Sequence, residues 1–424
     1  MKIKLAGLDQ TLIYEKLENG LELFLIPYTN KNNYSVHYIT KYGSTTTSFK
    51  LDNKLINVPD GIAHFLEHKM FEQEDGLDPF SFFAKTGTNC NASTNLKSTR
   101  YLIEGSTSLY ENLDYLISYV NKPYFTDSNV EKEKGIIAEE IKMYDDDAEW
   151  QLDGFMKEGT YQVDNTRVDI AGTVASINQI TKEDLYNCYN AFYQQNNMFI
   201  VATGNIDPDK IITTVKNNLD LKNNSKRIKV QLIEAKEPAK VLIPFKEVKT
   251  NILNTKLGLS IKLPWQDKYN HYLYSMYCSA ILTIIFGSSS LFREQMKKNN
   301  CMTNFYFDRE QTKDYITLVF AAESDKPEEL AKTILDFCKT TEITEEDLAR
   351  LKKVWLASEI MIADNINVTL DNLVYDLIEY GKVIPNKLEI IKSLDIDTLN
   401  EIKQGFNLDN KSIIIMRPKD NKED

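Results

Sequence analysis

Two histidines and a glutamate stand within five residues, at His64, Glu67 and His68, in a chain that holds only four histidines. On a helix, positions i and i+4 project from one side, so both imidazoles can reach one ion while Glu67 stays alongside. Two neutral imidazoles, one carboxylate and a water make a catalytic zinc site with an open position, where the water becomes acidic near neutral pH. Glu67 is then the base placed to take the proton. The order His-x-x-Glu-His reverses the commoner HExxH and is the inverzincin pattern.

A third protein ligand is needed, and the charged run VEKEKGIIAEEIKMYDD supplies candidates in Glu131, Glu133, Glu139 and Glu140. Glu133 and Glu140 are seven residues apart, two helical turns, and share a face; Glu139 is rotated by about 100° from its neighbour. One of the pair can ligate while the other accepts a hydrogen bond from a ligating histidine.

The elements that must carry these residues follow from periodicity. TLIYEKL, the turn ENG and LELFLIPY read as a hairpin, and YSVHYITKYGSTTTSF continues a sheet. IAHFLEHKMF has helical spacing after the turn residues Asp60 and Gly61. Strands are expected in TGTNCNASTNLKSTRYLIEG, and a helix over SLYENLDYLISYVNKP ends at Pro123. Residues 128–159 read as one long charged helix, softened at Gly135 and Gly154, and residues 345–380 as a second long helix. The polar stretch around 220–237 is the linker candidate. It divides an N-terminal domain (1–222) from a C-terminal domain (246–424), with 223–245 between them. The second half repeats the strand and helix order of the first, so the expected fold is α+β with two related halves.

Composition narrows the function classes. A net charge of -12 disfavours nucleic acid and anionic membrane surfaces as partners. The N-terminus lacks the apolar run of a signal peptide, and no stretch approaches about 18 uninterrupted apolar residues. Five scattered cysteines, Cys90, Cys188, Cys278, Cys301 and Cys338, contain no CxxC pair and suit free thiols in a reducing compartment, so a cytoplasmic location is expected.

In GIAHFLEHKMFE, NASTNLKSTRY and VEKEKGIIAEEIKMYDD, and over nearly its whole length, the chain resembles the pitrilysin, insulysin and mitochondrial-processing-peptidase family of zinc peptidases in its small bacterial form. The resemblance implies a zinc metalloendopeptidase with one zinc per chain, held by His64, His68 and Glu140. It makes Glu67 the base and Glu133 the supporting carboxylate. It also implies that Asn91 and Ala92 lie on an edge strand that pairs with peptide substrate. The implied fold is two homologous α/β sandwich domains, sheets packed with helices, forming half of a clamshell chamber that a second subunit completes. The family's second domain commonly carries an arginine followed seven residues later by a tyrosine, which stabilise the oxyanion. Met296 and Thr303 stand at the matching positions here, with Arg293, Lys297 and Tyr306 nearby at other spacings. A paralogous subunit that supplies the arginine and tyrosine in a heterodimer is therefore expected, a homodimer being the other arrangement. The competing reading is a non-catalytic scaffold or peptide-binding subunit of a larger complex.

Overall fold

The structure is a computed structural model that describes residues 1–219, 229–299 and 301–419. In chain order it begins with strands β1 (Lys2–Lys4), β2 (Thr11–Lys16), β3 (Glu22–Pro27), β4 (Tyr34–Thr40), β5 (Ser48–Leu51) and β6 (Lys54–Asn57). Helices α1 (Ile62–Lys69) and α2 (Pro79–Ala84) lead to β7 (Asn89–Thr94) and β8 (Thr99–Gly105). Then come α3 (Leu109–Val120), α4 (Asp127–Asp145), α5 (Ala148–Thr160), α6 (Val174–Ile177), α7 (Lys182–Phe192), β9 (Met198–Gly204), α8 (Pro208–Asn218) and β10 (Val230–Leu232). The second half runs β11 (Phe245–Thr250), β12 (Lys256–Pro264), α9 (His271–Phe286), α10 (Leu291–Lys298), β13 (Thr303–Gln311) and β14 (Tyr315–Glu323). It closes with α11 (Pro327–Thr340), α12 (Glu345–Ala363), α13 (Ile366–Tyr380), α14 (Lys387–Ser393), α15 (Ile396–Gln404) and β15 (Lys411–Pro418).

The repeat read from element order is visible in strand topology. One sheet runs β1-β2-β3-β9-β4-β8-β7 and another β11-β15-β12-β14-β13. The last five strands of the first correspond one for one to the second, including direction. β3 with β9 and β11 with β15 are parallel, and every other pair in both sets is antiparallel. The fold is thus α+β, built on two sheets of one topology.

Each sheet is covered on both faces, which explains why its inner strands are apolar without alternation. In the first unit, Leu23, Leu25, Val36 and Tyr101 pack with Phe65, Leu66, Leu113 and Leu116 on one side. Phe24, Ile26, Ile39 and Phe199 pack with Ile366, Leu370, Leu373 and Leu377 of α13 on the other. In the second unit, α9 covers one face with Tyr274, Cys278 and Ile281. Leu152 and Met156 of α5 meet Val319, Ile414 and Met416 on the other.

The covering helices α13 and α5 come from segments remote in sequence. The first compact unit gathers Met1–Lys142, Asp169–Glu234 and Ser358–Glu389, and the second Met143–Val168, Ala235–Ala357 and Ile390–Asp424. This arrangement corrects the two long helices expected at 128–159 and 345–380. The first breaks between α4 and α5, where the Asp147 side chain accepts from the backbone N–H groups of Glu149 and Trp150. The second breaks between α12 and α13, where Asn365 accepts from Asn367 and Val368. Capping by a short Asx side chain restarts a helix more sharply than a helical glycine softens one. Of the 223–245 stretch, residues 223–228 lie outside the described residues, while β10 pairs antiparallel with β5.

The segment His271–Lys298 has the length and apolarity of a membrane span. It is nevertheless broken between α9 and α10, and most of α9 is core.

Candidate metal centre

Helix α1 starts at Gly61, whose φ of 87° lies in the left-handed region. A Cβ there would stand 2.3 Å from the carbonyl oxygen of Ala171, so glycine is required both for conformation and for the close approach of the 171–172 backbone. The helix then buries Ile62, Ala63, Phe65 and Leu66. Its other stripe turns His64 and His68 toward α4 and Glu67 toward Thr94 of β7. The two imidazoles lie with ring centroids 4.6 Å apart.

Of the four glutamates on α4, two leave the site. Glu131 pairs with Lys134 and Glu139 with Lys142, each one turn along an exposed surface. Glu140 faces both histidines, with Oε1 3.7 Å from His64 Nε2 and Oε2 3.5 Å from His68 Nε2. Ligand atoms of His64, His68 and Glu140 all fall within 4.8 Å of one another, and no other such set of three occurs among the described residues. Around a tetrahedral zinc with bonds of about 2.1 Å, neighbouring ligand atoms stand ~3.4 Å apart. The donor types and spacings therefore fit zinc.

Glu133, one heptad before Glu140, accepts from His68 Nδ1 at 3.1 Å. That contact assigns the proton to Nδ1 and leaves the Nε2 lone pair facing Glu140. Behind it, Lys69 is fully buried, with Nζ 3.4 Å from the second oxygen of Glu133 and paired also with Glu72. Burial alone would raise the Glu133 carboxyl, but the hydrogen bond from His68 and the Lys69 charge outweigh it and hold the carboxyl below its ordinary value. Burial lowers His64 to about 4, with help from His68, which keeps that ring neutral. For His68, burial is outweighed by the hydrogen bond to Glu133 and by the charges of Glu67, Glu133 and Glu140, and its pKa rises.

Glu67 is 7% exposed. Burial raises its carboxyl, and Thr94 opposes the rise by donating its hydroxyl to Oε2 at 2.6 Å. Neither Thr94 nor Lys69 was singled out from the sequence. Thr94 lies in the NAST run, three residues past Asn91, and a lysine next to the second histidine reads as an ordinary helix residue.

Asn91 and Ala92 lie on β7, the terminal strand of the seven-stranded sheet. The Asn91 side-chain oxygen accepts from the Ala92 N–H at 2.9 Å. The other two histidines stand apart: His37 is buried in β4, and His271 stacks on Trp265.

In the second unit, Met296 is core and the Thr303 hydroxyl donates to Glu323. Arg293 spends its guanidinium on the carbonyls of Phe286 and Phe305, at 3.1 and 3.0 Å. The Tyr306 hydroxyl donates to Asp308.

Known proteins match both halves. Residues 57–174 match the model described as insulinase (peptidase family M16), and residues 179–354 the model described as peptidase M16 inactive domain. The chain is 37% identical over 361 residues to the uncharacterized zinc protease YmfH of Bacillus subtilis, covering 83% of this chain and 84% of that one. It is 27% identical over 213 residues to the mitochondrial-processing peptidase subunit beta of Saccharomyces cerevisiae, covering 46% and 42%. The crystal structure of an M16-like peptidase from Alicyclobacillus acidocaldarius superposes with a TM-score of 0.93 at 26% identity, covering 98% of this chain and all of that one. By these matches the chain belongs to peptidase family M16, the pitrilysin family.

Proposed function

We propose that the chain is a zinc metalloendopeptidase acting on peptides, unfolded segments or leader segments, with one zinc held by His64, His68 and Glu140. The observation that carries this reading is the convergence of those three side chains at zinc-compatible spacing beside a buried carboxylate, Glu67. Zinc bound there supplies an acidic water and a Lewis-acid contact for the scissile carbonyl. Glu67 accepts the proton of the attacking water and delivers it to the leaving amine. Its burial favours the protonated form and so suits the second of these transfers. Glu133 orients His68, and Asn91 and Ala92 receive the peptide as an added strand on the edge of the sheet.

A second subunit belongs to this reading. With Arg293 engaged by backbone carbonyls and Tyr306 by Asp308, we assign the oxyanion-stabilising arginine and tyrosine to a paralogous partner in a heterodimer. A homodimer is the other arrangement. Five free cysteines, four of them buried, support a reducing, cytoplasmic setting. The competing reading is a non-catalytic scaffold or peptide-binding subunit, with which the match of residues 179–354 to an inactive-domain model is also compatible. The deciding experiment is peptide cleavage by wild type and Glu67→Gln, each with and without the paralogue. Cleavage that disappears in the variant supports the enzyme, and zinc-loaded protein that never cleaves supports the scaffold.

A further inference from the structure

We propose that Thr94 is a positioning residue that fixes Glu67 and ties it to the strand on which substrate lies. The inference rests on the reading of Glu67 as base. The hydroxyl of Thr94 donates to Oε2 of the Glu67 carboxylate at 2.6 Å. A carboxylate 7% exposed needs such a donor, because burying it without one costs more than the hydrogen bond returns.

The hydroxyl is itself held in direction. Thr94 sits opposite Thr99 in the β7–β8 register, and the two hydroxyl oxygens are 3.2 Å apart. Thr99 is fully buried and donates to the carbonyl of Tyr42 at 3.0 Å. With its only proton on Tyr42, Thr99 can do no more than accept from Thr94 at 3.2 Å, and the shorter contact to a carboxylate, 2.6 Å, takes the Thr94 proton to Glu67. From the opposite face, Arg100 donates to the Ser93 hydroxyl at 2.7 Å and pairs with Asp371 at 2.7 Å. The end of β7 is therefore clamped on both faces.

Strand alternation puts Ala92 and Thr94 on one face and Asn91 and Ser93 on the other. Ala92, where peptide pairs in the proposed reading, and Thr94, which holds the base, are thus consecutive residues of one face, about 7 Å apart along the strand. A peptide added to β7 takes its register from the same backbone that places Glu67. The reacting carbonyl and the base are aligned by one rigid element, and misplacing either by an ångström costs turnover.

The test compares Thr94→Val, which keeps shape and strand preference but removes the hydroxyl, with Thr94→Ser, which keeps it. Both are made in the full chain, with the paralogous subunit present if wild type requires it, and Glu67→Gln is run in parallel. On fluorescein-labelled β-casein, Thr94→Val is expected to keep zinc content and KM while kcat falls about tenfold or more, and Thr94→Ser to stay within about threefold of wild type. A readout free of turnover is the crystal structure of each zinc-loaded variant. Glu67 should leave its position by more than ~0.5 Å or occupy two rotamers in Thr94→Val, and stay in place in Thr94→Ser. Wild-type kcat or an unmoved Glu67 in Thr94→Val overturns the proposal, as does Thr94→Ser failing as badly as Thr94→Val, or a loss of zinc. Full activity in Glu67→Gln overturns instead the base assignment beneath it, so the two failures are told apart.

Discussion

Nδ1 of His68 lies 3.1 Å from Oε1 of Glu133, and this contact decides which ring nitrogen is left for a metal. Lys69, buried behind the carboxylate, keeps Glu133 ionised and in place. Replacing Glu133 by Gln should weaken zinc affinity about 10- to 100-fold, the usual effect of losing a carboxylate that orients a ligating histidine. Glu139→Gln, on the exposed side of the same helix, should leave affinity unchanged. Competition titration with a zinc-sensitive dye distinguishes the two; equal affinities would remove Glu133 from the site.

Glu67 takes no place among the three ligand residues, so charge and metal separate at this position. Glu67→Gln is expected to retain one zinc per chain and lose turnover by a factor on the order of 100 to 10,000, the range of general acid–base catalysis. His68→Ala is expected to lose both. Elemental analysis alongside a cleavage assay reads both outcomes, and zinc loss in Glu67→Gln would contradict the division of roles.

At Gly61 the left-handed backbone and the 2.3 Å approach to the Ala171 carbonyl leave no room for a methyl group. Gly61→Ala should destabilise the protein by at least about 1–3 kcal/mol, the cost of a side chain held in that region, and shift α1 enough to lower zinc affinity. Thermal unfolding of the zinc-loaded protein checks the first effect and dye competition the second. A variant with wild-type Tm would show that the turn relaxes.

The proposed pairing of peptide with β7 predicts a different kinetic signature. Asn91→Ala frees the Ala92 N–H from its side-chain acceptor but removes a side chain from the binding edge. Zinc content should be unchanged, with KM for an unfolded peptide raised several-fold and kcat altered less. A fall in kcat at constant KM would place Asn91 in the chemical step instead.

How far these features were legible in the sequence depends on the range of the interaction that sets them. His64, Glu67 and His68 are joined by one helical turn, so spacing alone places them on one stripe of α1. Glu133 and Glu140 share a helix face for the same reason, but choosing them over Glu131 and Glu139 took a family resemblance. The structure supplies the physical ground, since the rejected pair turns to lysines and solvent. The contact of Thr94 with Glu67 joins a strand to a helix 27 residues away and has no local signature. The repeat of strand order was readable because each strand alternates or runs apolar by itself. The exchange of α5 and α13 was not, because helical periodicity continues across Asp147 and Asn365 while the caps that end it depend on single side chains.

The central claim, a zinc held by His64, His68 and Glu140, is tested most directly by elemental analysis of purified wild type and Glu140→Gln after equilibration with zinc and removal of the excess. The account predicts one zinc per wild-type chain and a large loss in Glu140→Gln. Wild-type protein that retains no zinc, or a Glu140→Gln variant that retains it fully, would contradict the account.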